Sequence, residues 1–402
     1  MKKRIEYAGS VHDQAEIDAV VEVLQGPATA LRIGKNVKEM ERLVAATFGK
    51  TKGIMVNSGS SALYLAVELL RPQPGDEIIT SAVTFSTDIA PMARAGVTPV
   101  FVDVTPDTYQ IDVEQIEAEI TDRTTAILTP NLIGNCPDWD AIRAIADRYD
   151  LTVIEDSCDC LGATLRGTPT GTRAHMSLTS FAMSHIITAA GTGGMICLDN
   201  TELIDRALLL RRWGRRSETA LFGSRKGERR FFSNLPDGEE YDDLFIFDEL
   251  GWNFEPSELS AAFGVVQMGK LEHNLARRKR NAALLTEYFA GHADVFVLPQ
   301  LTAEVDSAWH MYPIQLRLEA GIRRADFQQH MEQNGVDTRM VWTGNATRQP
   351  AFKDMPHRVA AGGLPNADTV MSQGLILPCN HAIDDGGVEY ICETVQAFLD
   401  AR

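Results

Sequence analysis

The feature that most constrains this chain is a regular alternation of short apolar runs and amphipathic stretches between about residues 50 and 200. GIMV (53–56), DEIITSA (76–82), TPVFVDV (98–104), TTAILTP (124–130), LTVIEDS (151–157), MSLTSF (176–181) and GMICLD (194–199) read as strands. Helical patterns fall between them, including VEQIEAEI (113–120) and DWDAIRAIADRYD (138–150), the latter with an acidic start. Strands spaced by helices predict an α/β fold with a mostly parallel sheet and crossover helices. Such sheets bind ligands at the carboxyl ends of their strands. Two helical stretches precede the sheet within residues 12–47. Residues 200–245 read as charged and irregular, 255–290 as one long helix, and about 295–402 as a smaller α+β unit. The expected organisation is a large domain over 1–270 with an N-terminal helical arm, and a small C-terminal domain over 271–402.

Charge narrows the partners. The chain of 402 residues carries 38 Lys+Arg against 55 Asp+Glu, a net charge of −17. That speaks against nucleic acid or an anionic membrane as the main partner, and leaves room for an anionic small ligand bound locally. No apolar run reaches the ~18 residues of a membrane span, and the start, MKKRIEYAGSVHDQ, has no apolar core of a signal peptide. The six cysteines are scattered, with only Cys158 and Cys160 close together. A single C-x-C pair is too few ligands for zinc or an iron–sulfur cluster. Buried free thiols in a reducing, cytoplasmic setting are expected, with no metal site.

Three segments carry candidate chemistry. In NSGSSAL (57–63), Gly59, Ser60 and Ser61 follow a strand and open a helix, where free N–H groups favour a phosphate; a plain helix cap is the bland reading. In VIEDSCDCLG (153–162), a buried strand ends in Glu155 and Asp156, and a buried carboxylate must be paired or ligating. Asp156 could hold a protonated pyridine nitrogen or form a structural salt bridge. In SLTSFAMSHIITAAGTGGMI (177–196), His185 stands five residues after Ser180 and before tandem glycines; a lone His is more often structural. Phe85, after a strand in AVTFSTD, could stack on an aromatic ligand or sit in the core.

The order of these motifs, with PVFVDV between them and GWNFEPSELSAA (251–262) after them, resembles the sugar aminotransferase family of type I fold pyridoxal-phosphate enzymes, from about residue 10 to 395. That family acts on keto-sugars attached to nucleotides. The resemblance implies cofactor-binding roles for Gly59, Ser60 and Ser180 at the phosphate, Phe85 over the ring, Asp156 at the pyridine nitrogen and Asp159 near the ring hydroxyl. Asn253 matches a residue that reaches the neighbouring subunit's cofactor phosphate, which implies a homodimer with shared active sites. Glu255 stands where the family often has Arg or Lys, Thr192 replaces a Glu, and the loop after His185 is one residue longer than usual.

Position 185 sets the branch. Aminotransferases of the family carry there the Lys that bonds the cofactor, whereas this chain has His185 and no Lys between Lys52 and Lys226. A His at this position resembles the nucleotide-sugar 3-dehydratase branch, as do LIGN (132–135), TGNATRQPAF (343–352) and LPCNH (377–381). RWGR (212–215) resembles a CDP-sugar member that binds iron–sulfur just afterwards, but here residues 215–230 hold no Cys. The resemblance therefore implies a glutamate-dependent 3-dehydratase of a nucleotide-linked 4-keto-6-deoxyhexose. It would use non-covalent pyridoxal 5'-phosphate and pyridoxamine 5'-phosphate with His185 as catalytic acid/base, and no iron–sulfur cluster. An aminotransferase-like enzyme of another outcome and a catalytically silent cofactor-binding partner subunit are the alternatives.

Overall fold

The computed structural model describes residues 4–228 and 231–402, so Arg229 and Arg230, the end of the cysteine-free segment, lie outside the described residues. Strands β1 (Lys52–Val56), β2 (Glu77–Ser81), β3 (Thr98–Val102), β4 (Thr124–Pro130) and β5 (Thr152–Asp156) join Met176–Ser180 and Gly194–Leu198 in one sheet. The order is β1, 194–198, 176–180, β5, β4, β2, β3, with the short strand Arg358–Val359 at the edge. All run parallel except Gly194–Leu198, which is antiparallel to both neighbours. The reason is local: residues 181–193 contain no helix to carry a parallel crossover, so the chain turns straight back.

Helices cover both faces, which is why β2 is buried at all five positions. Helix α3 (Gly59–Leu69) packs Leu63 and Ala66 against Ile54, Leu178 and Ile196. On the other face, Trp139 and Ile142 of the helix Trp139–Tyr149 pack with Ile79 and Val153. A third core surrounds the antiparallel sheet of Phe296–Val297, Tyr312–Leu316 and Gly374–Leu377, backed by the helices Leu271–Ala290 and Asp385–Asp400. No helix among the described residues is long and apolar enough to cross a membrane.

Two segments differ from the sequence expectation. Thr201–Arg211, read as irregular, is a helix capped by Asn200 with Ile204, Ala207, Leu208 and Leu210 buried. Its arginines obscure the apolar face in the sequence, yet Arg211 is itself buried, 3.0 Å from Glu41. The long helix over 255–290 is two helices, Glu258–Gly269 and Leu271–Ala290. They meet beside Gly269, a poor helix former, at Lys270, whose Nζ reaches Asp13 at 2.9 Å and Glu16 at 2.6 Å.

The N-terminal arm consists of helices α1 (Gln14–Leu24) and α2 (Lys35–Phe48). Gly34, before α2, has no side chain to cap it. The buried Glu258 carboxylate does so instead, accepting from the N–H groups of Gly34 (2.9 Å), Asn36 (2.7 Å) and Val37 (3.1 Å). Glu258→Ala leaves those donors without partners and removes a negative charge from a helix N-terminus. The expected loss is about 1–3 kcal/mol, read as a lower urea midpoint; an unchanged midpoint would show that α2 needs no such cap.

Candidate active site

The carboxyl ends of β1, β2, β4, β5 and Met176–Ser180 open on a cleft of about 350 Å³. The structure brings Gly59, Ser60, Phe85, Asp156, Asp159, Ser180 and His185 together in its lining. Asn253 is not among them. It is exposed, with its Oδ1 accepting from Glu255 N at 3.3 Å. No Lys is among the described residues lining the cleft.

At one end, Ser58 caps α3, its Oγ accepting from Ser61 N at 3.1 Å. The cap reading thus holds for Ser58, and it leaves the first-turn residues Gly59 and Ser60 on the cleft wall. Close packing fixes this turn. A Cβ on Gly59 would stand 2.6 Å from Ser180 Cβ, and one on Gly194 would stand 2.4 Å from the Ser58 backbone. Thr192 helps from the glycine turn, its Oγ1 donating to Asn57 O at 2.8 Å.

The two carboxylates ending β5 point apart. Glu155 accepts from Asn131 Nδ2 (2.8 Å), Ser157 Oγ (2.8 Å) and Ser177 Oγ (2.6 Å), a satisfied structural group. Asp156 faces the cleft and accepts from Cys158 N at 2.9 Å. Burial, with the nearby Asp159 charge adding, pushes Asp156 up to about 6. Its neighbour Asp88 is pushed well above the carboxylate range by burial and by Asp156. Asp88 accepts from Thr84 Oγ1, while its Oδ1 finds no partner among the described residues. No cation among the described residues contributes to either shift, so a cationic ligand group is what would suit this pair. Asp88 ends the AVTFSTD segment, and its place in the first turn of helix α4 (Ser86–Arg94) is the local signal for it.

Phe85 is half-exposed and meets Trp342 edge-on, ring centroids 6.0 Å apart, so it is a wall of the cleft rather than a core residue. Burial pushes the Cys158 and Cys160 thiols up, Cys160 to about 12, which disfavours their thiolates, and all six cysteines are free.

The catalytic candidate stands in a tight group that the sequence showed only in part. His185 Nδ1 lies 3.7 Å from Asp159 Oδ1, and its ring stacks on His310 with centroids 5.3 Å apart. Burial, then the neighbouring His310, pushes His185 down to about 4, so the ring is neutral at pH 7 and able to accept a proton. Asp159 is fixed by N–H donors from Ile133 (3.0 Å) and Trp342 Nε1 (2.8 Å). Both donors sit on left-handed backbone, with φ of 59° at Ile133 and 40° at Trp342, strain that marks a functional region. His310 and Trp342 come from distant segments that carry no periodic signal pointing to this cleft.

A helix N-terminus, buried acids and an aromatic wall meet at the carboxyl edge of a mostly parallel sheet, the arrangement of an aminotransferase-type fold. The chain belongs to the DegT/DnrJ/EryC1/StrS aminotransferase family, whose model spans residues 11–396. It is 35% identical to a dTDP-4-dehydro-2,6-dideoxy-D-glucose 3-dehydratase of Saccharopolyspora spinosa, over 98% of this chain and 86% of that protein. It is also 27% identical to a GDP-perosamine synthase of Caulobacter vibrioides, over 98% of both. Two solved structures of a GDP-4-keto-6-deoxymannose-3-dehydratase are similar throughout. One is a His-to-Asn variant with bound GDP-perosamine and the other holds a trapped PLP-glutamate geminal diamine. Each is 30% identical with a TM-score of 0.86, covering 97% of this chain and 99% of theirs.

Proposed function

We propose that this protein is a glutamate-dependent 3-dehydratase of a nucleotide-linked 4-keto-6-deoxyhexose that binds pyridoxal 5'-phosphate without a covalent bond. The observation that carries the reading is His185 in a cleft with no lysine among its described lining residues, where an aminotransferase needs an amine. The similarity to the 3-dehydratases supports it.

The cleft's own groups fit the cofactor. Gly59 and Ser60 at the start of α3, with Ser180 beside them, would hold the phosphate. Phe85 would cover the ring. Asp156, with Asp88 beside it, would hold the pyridine nitrogen in its protonated form; burial raises both carboxyl groups, which a cation there would offset. Asp159 would lie by the ring hydroxyl. When bound, the cofactor supplies an amine for the sugar's C4 ketone and a ring that accepts an electron pair. His185 would be the group that accepts a proton beside the cofactor and hands it to the leaving C3 hydroxyl, as one imidazole can serve first as base and then as acid. The overall balance is keto-sugar plus glutamate giving 3-deoxy keto-sugar, 2-oxoglutarate and ammonia.

The rest of the reading follows the same family logic. The large unit over 1–270 and the small one over 271–402 would enclose the cleft, and the free cysteines suit a reducing cytoplasm. Asn253, exposed and outside this protomer's cleft, would serve the site of a second subunit in a homodimer. Glu255 stands in place of the usual base and shares Arg212 (3.2 Å) with Glu218 (3.1 Å). The amino-donor half is tested directly. Protein loaded with pyridoxal phosphate and given L-glutamate alone should form the amine cofactor and an equal amount of 2-oxoglutarate. Absence of 2-oxoglutarate under these conditions would reject glutamate as the donor.

A further inference from the structure

His310 is fully buried just before the strand Tyr312–Leu316, with its ring plane 23° from that of His185. Its Nε2 lies 2.6 Å from the carbonyl oxygen of Ser184. A carbonyl only accepts, so Nε2 carries a hydrogen. Its Nδ1 lies 3.1 Å from Asp159 Oδ1, too oblique for a hydrogen bond. A neutral ring would there leave the Asp159 carboxylate against an uncharged nitrogen, with its charge unbalanced. A proton on Nδ1 makes the same contact an ion pair in a site shielded from water. Asp159 cannot swing aside to relieve it, because its other oxygen is held by Ile133 and Trp342.

We propose that His310 is a positioning residue for His185: an imidazolium clamped between Asp159 and Ser184 that fixes the plane of the neighbouring ring and adds to burial in lowering that ring's affinity for a proton. The role rests on the reading of His185 as the acid/base, although the protonation of the two rings can be measured without turnover.

The surrounding charges are few. Asp159, on the loop after β5, is the acidic group against both rings. Arg278, on the helix Leu271–Ala290, donates to the His310 carbonyl at 2.6 Å and to the His185 carbonyl at 3.5 Å. Its Nε lies 3.2 Å from His381 Nδ1, which burial and the Arg278 charge push down to about 3. Arg278 and a protonated His310 therefore both oppose a proton on His185, while Asp159 favours one. Two stacked rings in one buried site resist holding two charges, so the ring clamped by the carboxylate keeps the proton.

The test is ring nitrogen NMR of the full chain, cofactor-free and labelled in histidine, between pH 4 and 8. Signals are assigned with His185→Asn and His310→Gln. At pH 7 His310 should show both ring nitrogens protonated while His185 is neutral. In His310→Gln the midpoint of His185 should rise by roughly one pH unit or more. Should that variant fail to fold, the wild-type spectrum and Asp159→Asn decide: the latter should turn His310 neutral. A neutral His310 in the wild type, or an unmoved His185 midpoint in a folded His310→Gln, would overturn the proposal. So would a zinc ion bridging the three side chains and removable by EDTA. If no deoxygenated sugar is ever formed, the dehydratase reading fails while these ring states stand, so the two failures are distinguishable.

Discussion

His185→Asn is expected to lower the deoxygenation rate by ~10²–10⁴-fold, the usual worth of a general acid/base. Asn is smaller than His and keeps a polar tip, but cannot carry the proton. The phosphate end of the cleft, Gly59, Ser60 and Ser180, is untouched by the change, as is Asp156. Affinity for pyridoxal phosphate should therefore stay within a few-fold of the wild type, and the loss should fall on turnover. Single-turnover proton exchange at the cofactor's methylene carbon separates the two. A variant that exchanges at the wild-type rate would make His185 a structural residue and remove the centre of the proposed chemistry.

His185→Lys is expected to change the resting state itself. The described cleft has no lysine, and the chain has none between Lys52 and Lys226. A Lys at 185 would set an amine where an aminotransferase has one. It would emerge in a site whose burial already disfavours the protonated form of His185, which favours a reactive neutral amine. Borohydride followed by intact mass should reveal a covalent cofactor adduct in the variant and none in the wild type. Deoxygenation should fall, because cofactor held by lysine is withheld from the free amine pool, and part of the product should become amino sugar. An adduct already present in the wild type would contradict the non-covalent reading.

Much of the fold was legible because its strands are short, apolar and separated by helix-length segments. The exceptions have physical causes. Gly194–Leu198 runs antiparallel for want of a crossover helix, and direction is not written in an apolar run. Thr201–Arg211 was hidden because Arg211 is buried against Glu41, a long-range pairing invisible to periodicity. The break at Lys270 depends on Asp13 and Glu16, far away in the chain. The site was legible where it is local: Gly59 and Ser60 follow a strand, Asp156 ends one, and His185 follows another. Asp88, His310 and Trp342 were not, because their role comes from what the fold places beside Asp156, Asp159 and His185. The identification of Asn253 as a site residue rested on resemblance, and its side chain lies outside the cleft of its own protomer.

The central claim is removal of the C3 oxygen, and product analysis tests it most directly. Wild-type protein with pyridoxal phosphate, L-glutamate and a nucleotide-linked 4-keto-6-deoxyhexose should yield a sugar lighter by one oxygen atom, still a ketone at C4, with ammonia and 2-oxoglutarate in equal amounts. A product in which the C4 oxygen is replaced by an amine, with the C3 hydroxyl intact and no ammonia released, would contradict the account and make the protein an aminotransferase.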